Sequence, residues 1–465
     1  SVEIVPTDPS AHNNLGNSLQ ELGRLEDAEA SYLKAISLDF VYGEAHNNLG
    51  NTFLKGGKLL KARSSYNQAI LAAPDLMEAH YNLGNTLSQL GRFIEAEISY
   101  TRAIDLDPNF AKAYTNSGNT FTKIGRLEDA EKRYKQAIVL NPAYSEAHVN
   151  LGNLLQEIGR SDEAVVSYQN AIKLEPEACT AHYGLGNCFK ELGRFKDAEL
   201  CYRNALAFRP DYPEARNHLL TCLFLLEKKS SFLKEFDRSP NYGIPNAVEG
   251  SLMHRAALKF GSKLTNAFCL EPLNYLAHTD LGNKYDFTSI FVDTARAILW
   301  DRSVTIRQQP LLLGGFQSFG NIFEIDKDFT EQIQVCIRNE IELYRLSHHT
   351  SADGYIKHWP VDYILYGWLI NMKSGGQLKP HIHETGWLSG SVYINVPHKS
   401  LPDSGSLVVS LAQDHDGSDS AFNQKKIINV ETGDLVLFPS SLTHYTLPFE
   451  SDEDRVVLAF DVIPI

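Results

Sequence analysis

The chain has 465 residues, 43% of them hydrophobic and 22% charged, with a formal net charge of -14 at pH 7. This length predicts more than one domain. The acidic balance disfavours binding to nucleic acid or to an anionic membrane, because both require basic surfaces. There is no apolar run of membrane-spanning length and no visible signal peptide. The six cysteines have no CxxC spacing, which favours reduced thiols, so we expect a cytoplasmic protein.

The first half of the chain repeats every 34 residues, as "AHNNLGN" at 11 and 45, "AHYNLGN" at 79, "AYTNSGN" at 113, "AHVNLGN" at 147 and "AHYGLGN" at 181. Each segment is followed by a glycine, an alanine, a tyrosine and a second alanine, for example Gly57, Ala62, Tyr66 and Ala69. Period and signature resemble the tetratricopeptide repeat. The resemblance covers residues 7–226 as six repeats and a capping helix, and it implies an all-α superhelix with a concave groove.

Asparagines recur on both sides of the Leu-Gly pair. A spacing of three residues places them on one face of the first helix of each repeat, and the amide group both donates and accepts hydrogen bonds. The pattern resembles the asparagine ladder of O-GlcNAc transferase, which implies that the groove holds a protein or peptide substrate by its backbone. The alternative is that these asparagines hydrogen-bond between adjacent repeats. The candidate peptide-binding residues are Asn14, Asn17, Asn48, Asn51, Asn82, Asn85, Asn116, Asn119, Asn150, Asn153 and Asn187.

After the repeats the composition changes. The segment "EKKSSFLKEFDRSPNYGIPN" is polar and punctuated by Pro and Gly, which predicts a linker. Apolar residues at helical spacing in "SLMHRAALKFGSKLTNAF" and "FTSIFVDTARAILW" predict supporting helices, so we assign residues 227–300 to a linker with supporting helices.

Residues 301–465 have a different pattern. A further helix is predicted over "DFTEQIQVCIRNEIELYRLS". It precedes six predicted strands, "YILYGWLINMK", "SGSVYINVP", "GSLVVSLA", "KKIINVE", "GDLVLFPS" and "RVVLAFDVIP". Short strands separated by turn residues are typical of an antiparallel barrel or jelly roll. The predicted fold class is therefore multidomain, an all-α repeat superhelix followed by a double-stranded β-helix (jelly-roll) domain with supporting helices.

The strand region contains a candidate metal site. His381 and His383 are two residues apart at the start of a strand, so both rings point the same way, and imidazoles suit iron, zinc, copper or nickel. His444, in a predicted loop after "GDLVLFPS", is the candidate third ligand. Arg455 follows at the start of a strand, where burial is costly without an anion. Its planar fork suits a carboxylate.

These motifs resemble a known family. Residues 378–397 and 433–461 are similar to the double-stranded β-helix of iron(II)- and 2-oxoglutarate-dependent oxygenases, and within them to members with an HxH…SGxxY…FPS…H…R pattern. The resemblance implies Fe(2+) as cofactor, 2-oxoglutarate as co-substrate and hydroxylation as the reaction. It also implies that His381, His383 and His444 bind the metal and that Arg455, as the catalytic residue, holds the far carboxylate of 2-oxoglutarate.

Two positions depart from the family pattern. Most members have Asp or Glu where this chain has His383, and Glu384 is an alternative third ligand if the backbone bulges there. Many members have a serine where this chain has Val457, a serine that helps the arginine hold the co-substrate. Tyr393 and Ser389 are the candidates to supply that hydroxyl group.

Together these features predict an enzyme, a dioxygenase that hydroxylates a side chain of a protein or peptide held in the repeat groove. One alternative is a repeat scaffold whose oxygenase domain acts on a small metabolite. Another is a non-catalytic, cupin-like metal sensor.

Overall fold

The computed structural model describes residues 7–237, 246–261, 268–300, 306–307, 311–318, 320–325, 327–398, 401–411 and 424–465. The chain forms two compact units, Ser1–Ala215 and Arg216–Ile465. The first is helical and the second combines helices with antiparallel sheets, so the predicted fold class is confirmed. Across the described ranges, no helix has both the length and the apolar character that crossing a membrane requires.

The N-terminal unit is an array of helix pairs, in which a helix of 13 residues alternates with one of 14. The helices are α1 Pro9–Glu21, α2 Leu25–Leu38, α3 Gly43–Lys55, α4 Leu59–Ala72, α5 Met77–Gln89, α6 Phe93–Leu106, α7 Ala111–Lys123, α8 Leu127–Leu140, α9 Ser145–Glu157, α10 Ser161–Leu174, α11 Cys179–Glu191 and α12 Phe195–Phe208. Helix α13, Pro213–Leu225, begins in this unit and lies mostly in the second.

Two glycines explain the repeat signature. A Cβ added to Gly84 would lie 2.7 Å from the ring of Tyr100, so only glycine lets the two helices of this repeat approach. Gly91, in the turn between them, has a φ of 74°, a left-handed conformation that glycine adopts without strain. The equivalent close pairs in the other repeats are Gly16 with Tyr32, Gly50 with Tyr66, Gly118 with Tyr134, Gly152 with Tyr168, and Gly186 with Tyr202.

The C-terminal unit contains helices before and between its strands. They are α14 Lys229–Phe236, α15 Ala247–Phe260, a 3-10 helix Pro272–Tyr275, a π-helix Thr288–Asp293, α16 Thr294–Trp300, α17 Ile322–Ile325, α18 Lys327–Ser347 and α19 Gly354–Lys357. The linker prediction is wrong where α14 forms, because Phe232 on this helix is fully buried and supplies an apolar anchor. Residues 238–245 of the predicted linker lie outside the described residues.

In the described part of the chain, ten strands form two antiparallel sheets. They are β1 Ala277–Asp280, β2 Ile306–Arg307, β3 Leu312–Ser318, β4 Tyr363–Leu378, β5 Leu388–Asn395, β6 Leu407–Ser410, β7 Lys425–Ile428, β8 Asp434–Pro439, β9 Thr443–Thr446 and β10 Arg455–Pro464. The larger sheet has the order β1-β8-β5-β10-β4-β3-β2 and the smaller one β7-β6-β9.

Each face of the larger sheet has its own core. On β10, Leu458 and Phe460 belong to a cluster that also contains Ile337 of α18. Val457 and Ala459, which alternate with them along the strand, belong to a second cluster with residues of the smaller sheet. Because side chains alternate along a strand, the helices support one face and the smaller sheet covers the other. The odd-numbered positions of β10 therefore face the space between the sheets.

Candidate metal centre

A pair of backbone hydrogen bonds fixes two of the predicted ligands. His381 donates its N–H to the carbonyl of His444 at 3.2 Å, and His444 donates to the carbonyl of His381 at 2.9 Å. The prediction of a loop around His444 is wrong, because this residue lies on β9, which pairs with β6. Four residues separated from β8 by a short turn give too weak a pattern to be recognised as a strand from sequence.

Three imidazole rings converge at this point. Their centroids are 4.3 Å apart for His381 and His444, 4.6 Å for His383 and His444, and 5.0 Å for His381 and His383. One ring nitrogen from each lies within 4.8 Å of the others. The Nε2 atoms of His381 and His383 are 3.1 Å apart. Two ligands at right angles, each about 2.1 Å from a metal, have nearly this separation.

The outer nitrogens of two of these rings face backbone acceptors. Nδ1 of His381 is 2.8 Å from the carbonyl of Lys379, and Nδ1 of His444 is 3.3 Å from the carbonyl of Leu442. These contacts assign the proton to Nδ1 and leave the Nε2 lone pair for a metal. Burial lowers the pKa of His381 to about 4 and that of His444 well below its ordinary value. Both imidazoles are therefore neutral near pH 7, as a metal ligand must be.

A carboxylate supports the third ring. Asp461 Oδ1 is 2.6 Å from Nδ1 of His383 and accepts a hydrogen bond from the Ser389 hydroxyl at 2.7 Å. Ser389 Oγ also lies 3.1 Å from the same ring nitrogen and 2.8 Å from Ser440 Oγ. The serines of the SGxxY and FPS motifs thus meet behind His383. A carboxylate on a ligating histidine fixes its tautomer and increases its basicity.

Sequence reasoning missed Asp461 and assigned Ser389 to the co-substrate. The available signal was a carboxylate in the apolar strand "RVVLAFDVIP", six residues after Arg455 and so on the same face. The structure brings the Ser389 hydroxyl into contact with His383 and Asp461. A co-substrate contact for Ser389 stays a prediction, although this hydroxyl is already engaged.

Glu384 lies apart from the histidine cluster. Its Oε2 is 3.7 Å from Nε2 of His218, and its side chain is 48% exposed. The side chains of His383 and Glu384 therefore point in different directions. Of the two alternatives for the third ligand, the geometry favours His383.

Arg455 is a buried cation with few partners. The side chain is 1% exposed, and Nη1 donates to the carbonyl of Gly405. Within the described part of the chain, Nε and Nη2 have no hydrogen-bond partner. The guanidinium carbon lies 5.2 Å from the ring centroid of Tyr393. Burial lowers the pKa of Arg455 and raises that of Tyr393 to about 12. These two nitrogens, Nε and Nη2, form a donor set that fits a carboxylate.

A cavity of about 400 Å³ opens between the sheets and includes all three histidines. Along β10, Asp461, Ala459 and Val457 line it in that order, and Arg455 is the next residue on the same face. The metal centre and the arginine are thus separated along one strand, with an apolar surface between them.

Comparison with known families identifies the repeats and one part of the second unit. Residues 367–461 match the family described as "Putative 2OG-Fe(II) oxygenase". Tetratricopeptide-repeat profiles match residues 9–39, 50–91, 78–110, 99–132, 118–159, 153–193 and 180–212. The chain is a tetratricopeptide-repeat array fused to a domain of this oxygenase family. The matched part of the oxygenase-family domain contains all three histidines, Arg455 and Asp461.

No curated protein matches the chain. Among solved structures it is similar to MamA, with 25% identity, a TM-score of 0.33 and coverage of 35% of this chain and 95% of MamA. It is similar to YrrB, "a TPR protein with an unusual peptide-binding site", at 21% identity, TM-score 0.35, and 40% and 95% coverage. It is also similar to Cut9-Hcn1, at 17% identity, TM-score 0.42, and 48% and 44% coverage.

In the tetratricopeptide repeats, the asparagines bond to one another. Asn82 donates from Nδ2 to the Oδ1 atoms of Asn47 and Asn51, both at 3.1 Å. Asn85 Oδ1 accepts from Tyr100 Oη and from Asn116 Nδ2, both at 2.8 Å. The Oδ1 atoms of Asn17, Asn51, Asn119, Asn153 and Asn187 accept from Tyr32, Tyr66, Tyr134, Tyr168 and Tyr202. The asparagine–asparagine bonds are the inter-repeat contacts of the alternative interpretation, whereas the tyrosine–asparagine bonds lie within one repeat. A peptide-binding role stays a prediction.

Proposed function

We propose that the oxygenase-family domain is an iron(II)- and 2-oxoglutarate-dependent dioxygenase. The observation that carries this proposal is Arg455, a buried guanidinium with two nitrogens, Nε and Nη2, that have no hydrogen-bond partner among the described residues. A buried charge without a counter-ion is strongly destabilising. The anion that would pair with it must also reach the histidines through the cavity, and a short dicarboxylate fits that requirement.

The histidine cluster fits iron(II). We assign His381, His383 and His444 as ligands, because their Nε2 lone pairs converge and imidazole is a suitable ligand for iron. A set of three imidazole ligands lacks the negative charge of the usual two-histidine, one-carboxylate site. The carboxylate of Asp461, hydrogen-bonded to His383, supplies part of that negative charge next to the ligand.

When bound, iron and 2-oxoglutarate would let dioxygen deliver one oxygen atom to succinate, with release of carbon dioxide, and the other to a substrate C–H bond as hydroxyl. Arg455 would pair with the far carboxylate, and Tyr393 would hold the arginine in place. Ser389 and Asp461 would keep His383 in the correct tautomer. The apolar side chains between the two ends would exclude water.

The substrate we propose is a side chain of a protein or peptide held by the repeat array. Tetratricopeptide repeats form extended binding surfaces, and tethering raises the local concentration of a substrate. We retain as parts of this proposal the domains 7–226, 227–300 and 301–465, and a cytoplasmic location, which agrees with six cysteines that form no disulfide bond.

An anaerobic titration tests the proposal. Apoprotein receives iron(II) and then 2-oxoglutarate, and the visible charge-transfer band of the chelate is followed. We expect a band that saturates with co-substrate. Iron binding without a band would contradict 2-oxoglutarate dependence. Absence of iron binding would contradict the metal centre itself.

A further inference from the structure

Gln317 contributes a buried acceptor to the cavity wall. Its side chain lines the cavity, and its Oε1 atom is buried with no hydrogen-bond partner among the described residues. A buried carbonyl oxygen without a donor is costly. Because this oxygen faces a cavity, we infer that a ligand in the cavity supplies the donor.

The strand register separates Gln317 from the arginine. Gln317 pairs with Ile370, Ile370 with Val457, and Val457 with Tyr393. These four residues form one row across four adjacent strands, and Gln317 and Tyr393 are its two ends. With strands about 4.8 Å apart, the ends are separated by roughly 14 Å of sheet. Because Tyr393 packs on Arg455, the acceptor of Gln317 lies on the other side of the cavity.

An aromatic surface links Gln317 to the metal centre. The Trp368 ring centroid is 5.4 Å from that of His383, at an interplanar angle of 61°. Tyr366 is the next ring outward, 6.1 Å from Trp368, and both line the cavity. On β4 these residues and Ile370 share one face in the order Tyr366, Trp368, Ile370. Because Ile370 pairs with Gln317, the Trp368 ring lies between Tyr366 and the row that contains Gln317. Flat rings beside a metal ligand offer a surface for the carbon skeleton of a substrate.

The described lining of the cavity carries little charge. It contains no lysine, arginine or glutamate, and its one aspartate, Asp461, is hydrogen-bonded to His383. A charged side chain that entered would lose its water without gaining a counter-ion. An uncharged side chain would meet no such penalty.

We propose that Gln317, Trp368 and Tyr366 form the substrate subsite, and that it takes an uncharged residue of a peptide. An amide N–H of the peptide donates to Gln317 Oε1, and the side chain lies against Trp368. This inference rests on the proposed dioxygenase activity and specifies the substrate class of the same site. One C–H bond of the residue becomes C–OH, while dioxygen and 2-oxoglutarate yield succinate and carbon dioxide besides that hydroxyl.

The test uses the full chain with iron(II) and 2-oxoglutarate, and short peptides that differ only in their central residue, flanked by alanine and serine. Mass spectrometry detects the gain of one oxygen atom at the central residue. Gln317→Leu removes the acceptor at similar size, and Gln317→Glu adds a negative charge. Gln377→Leu, on β4 outside the cavity lining, is the matched control.

We expect wild type and the control to hydroxylate only peptides with uncharged central residues. Gln317→Leu should lower this turnover at least about tenfold, since a lost hydrogen-bond partner weakens discrimination strongly. Its titration with 2-oxoglutarate should be unchanged. Gln317→Glu should additionally accept a central lysine, for which it supplies the counter-ion.

Three results would overturn the inference while leaving the dioxygenase proposal intact. They are turnover of charged peptides by wild type, a weaker 2-oxoglutarate titration in Gln317→Leu, and a normal chelate band with no peptide hydroxylated. Failure of the band in wild type is a different result, because it contradicts the dioxygenase proposal itself.

Discussion

Asp461 and His383 form a carboxylate–imidazole pair, with Oδ1 2.6 Å from Nδ1. The pair connects β10, the central strand that also carries Arg455, to the segment between β4 and β5, which carries two of the three histidines. A shift of β10 would therefore move the arginine and the orientation of His383 together. The proposed co-substrate site and metal centre thus share one rigid support.

Asp461→Asn should weaken iron(II) binding by about 10- to 100-fold, because the ligand loses the charge that raises its basicity. Metal affinity is measured by anaerobic titration calorimetry. The control is Asp293→Asn, at an exposed residue 3.9 Å from Arg296. Equal affinities in wild type and Asp461→Asn would contradict a role for the carboxylate in metal binding.

His444→Ala should lose more metal affinity than Asp461→Asn, since it removes a ligand rather than its support. The same calorimetric titration measures the effect. His349→Ala is a suitable control, because this histidine lies on the exposed turn after α18. Retention of wild-type affinity in His444→Ala would exclude the three-histidine centre.

Arg455→Ala should leave iron binding intact and weaken 2-oxoglutarate binding. Truncating one partner of a buried charge pair costs roughly 2–5 kcal/mol, or at least about 30-fold in affinity. The midpoint of the chelate-band titration reports this change. Arg345→Ala, which breaks only a partly exposed pair with Glu342, should bind co-substrate as wild type does. An unchanged midpoint in Arg455→Ala would remove the main support for 2-oxoglutarate.

Gly84→Ala should destabilise the repeat array by about 1–3 kcal/mol, because the added methyl group overlaps the buried Tyr100 ring. Urea denaturation followed by circular dichroism gives the free energy of unfolding. Gly56→Ala is the matched control. Its added Cβ would meet nothing closer than 3.5 Å, and its φ of -83° suits alanine. Similar losses for both variants would contradict the packing explanation.

Asn82→Ala tests the asparagine ladder. Removing its two hydrogen bonds deprives the buried Oδ1 of Asn47 of this donor, while Asn51 still accepts from Tyr66, and this should cost about 1–3 kcal/mol of unfolding free energy. Asn67→Ala, at an exposed position of α4, should change stability little. If Asn82→Ala keeps full stability but lowers peptide turnover, the ladder serves the peptide rather than the array.

Local sequence patterns predict most of the fold. The 34-residue period, the glycines and the tyrosines specify helix pairs, because each pair is formed by contacts within one repeat. Likewise β4, β5, β8 and β10 follow alternating apolar residues bounded by turns. The two elements that the sequence did not predict depend instead on contacts outside the local pattern. Helix α14 depends on burial of Phe232, whose ring contacts include Phe260 of α15, and β9 depends on pairing with β6. Neither Phe260 nor β6 is close in sequence to the element that it supports.

The sequence by itself determined the repeat array, the strand-rich second unit, the histidines that line one cavity and the arginine beyond the end of its lining. Spacing within a strand determines which side chains share a face. The HxH pair and Arg455 could therefore be recognised from sequence as candidate site residues. Only the tertiary structure revealed that Asp461 supports His383, that Ser389 belongs to that network, and that the asparagines bond between repeats. It also revealed the buried acceptor of Gln317. Each of these depends on residues from separate strands or repeats, and no local pattern encodes which distant side chain completes a hydrogen bond.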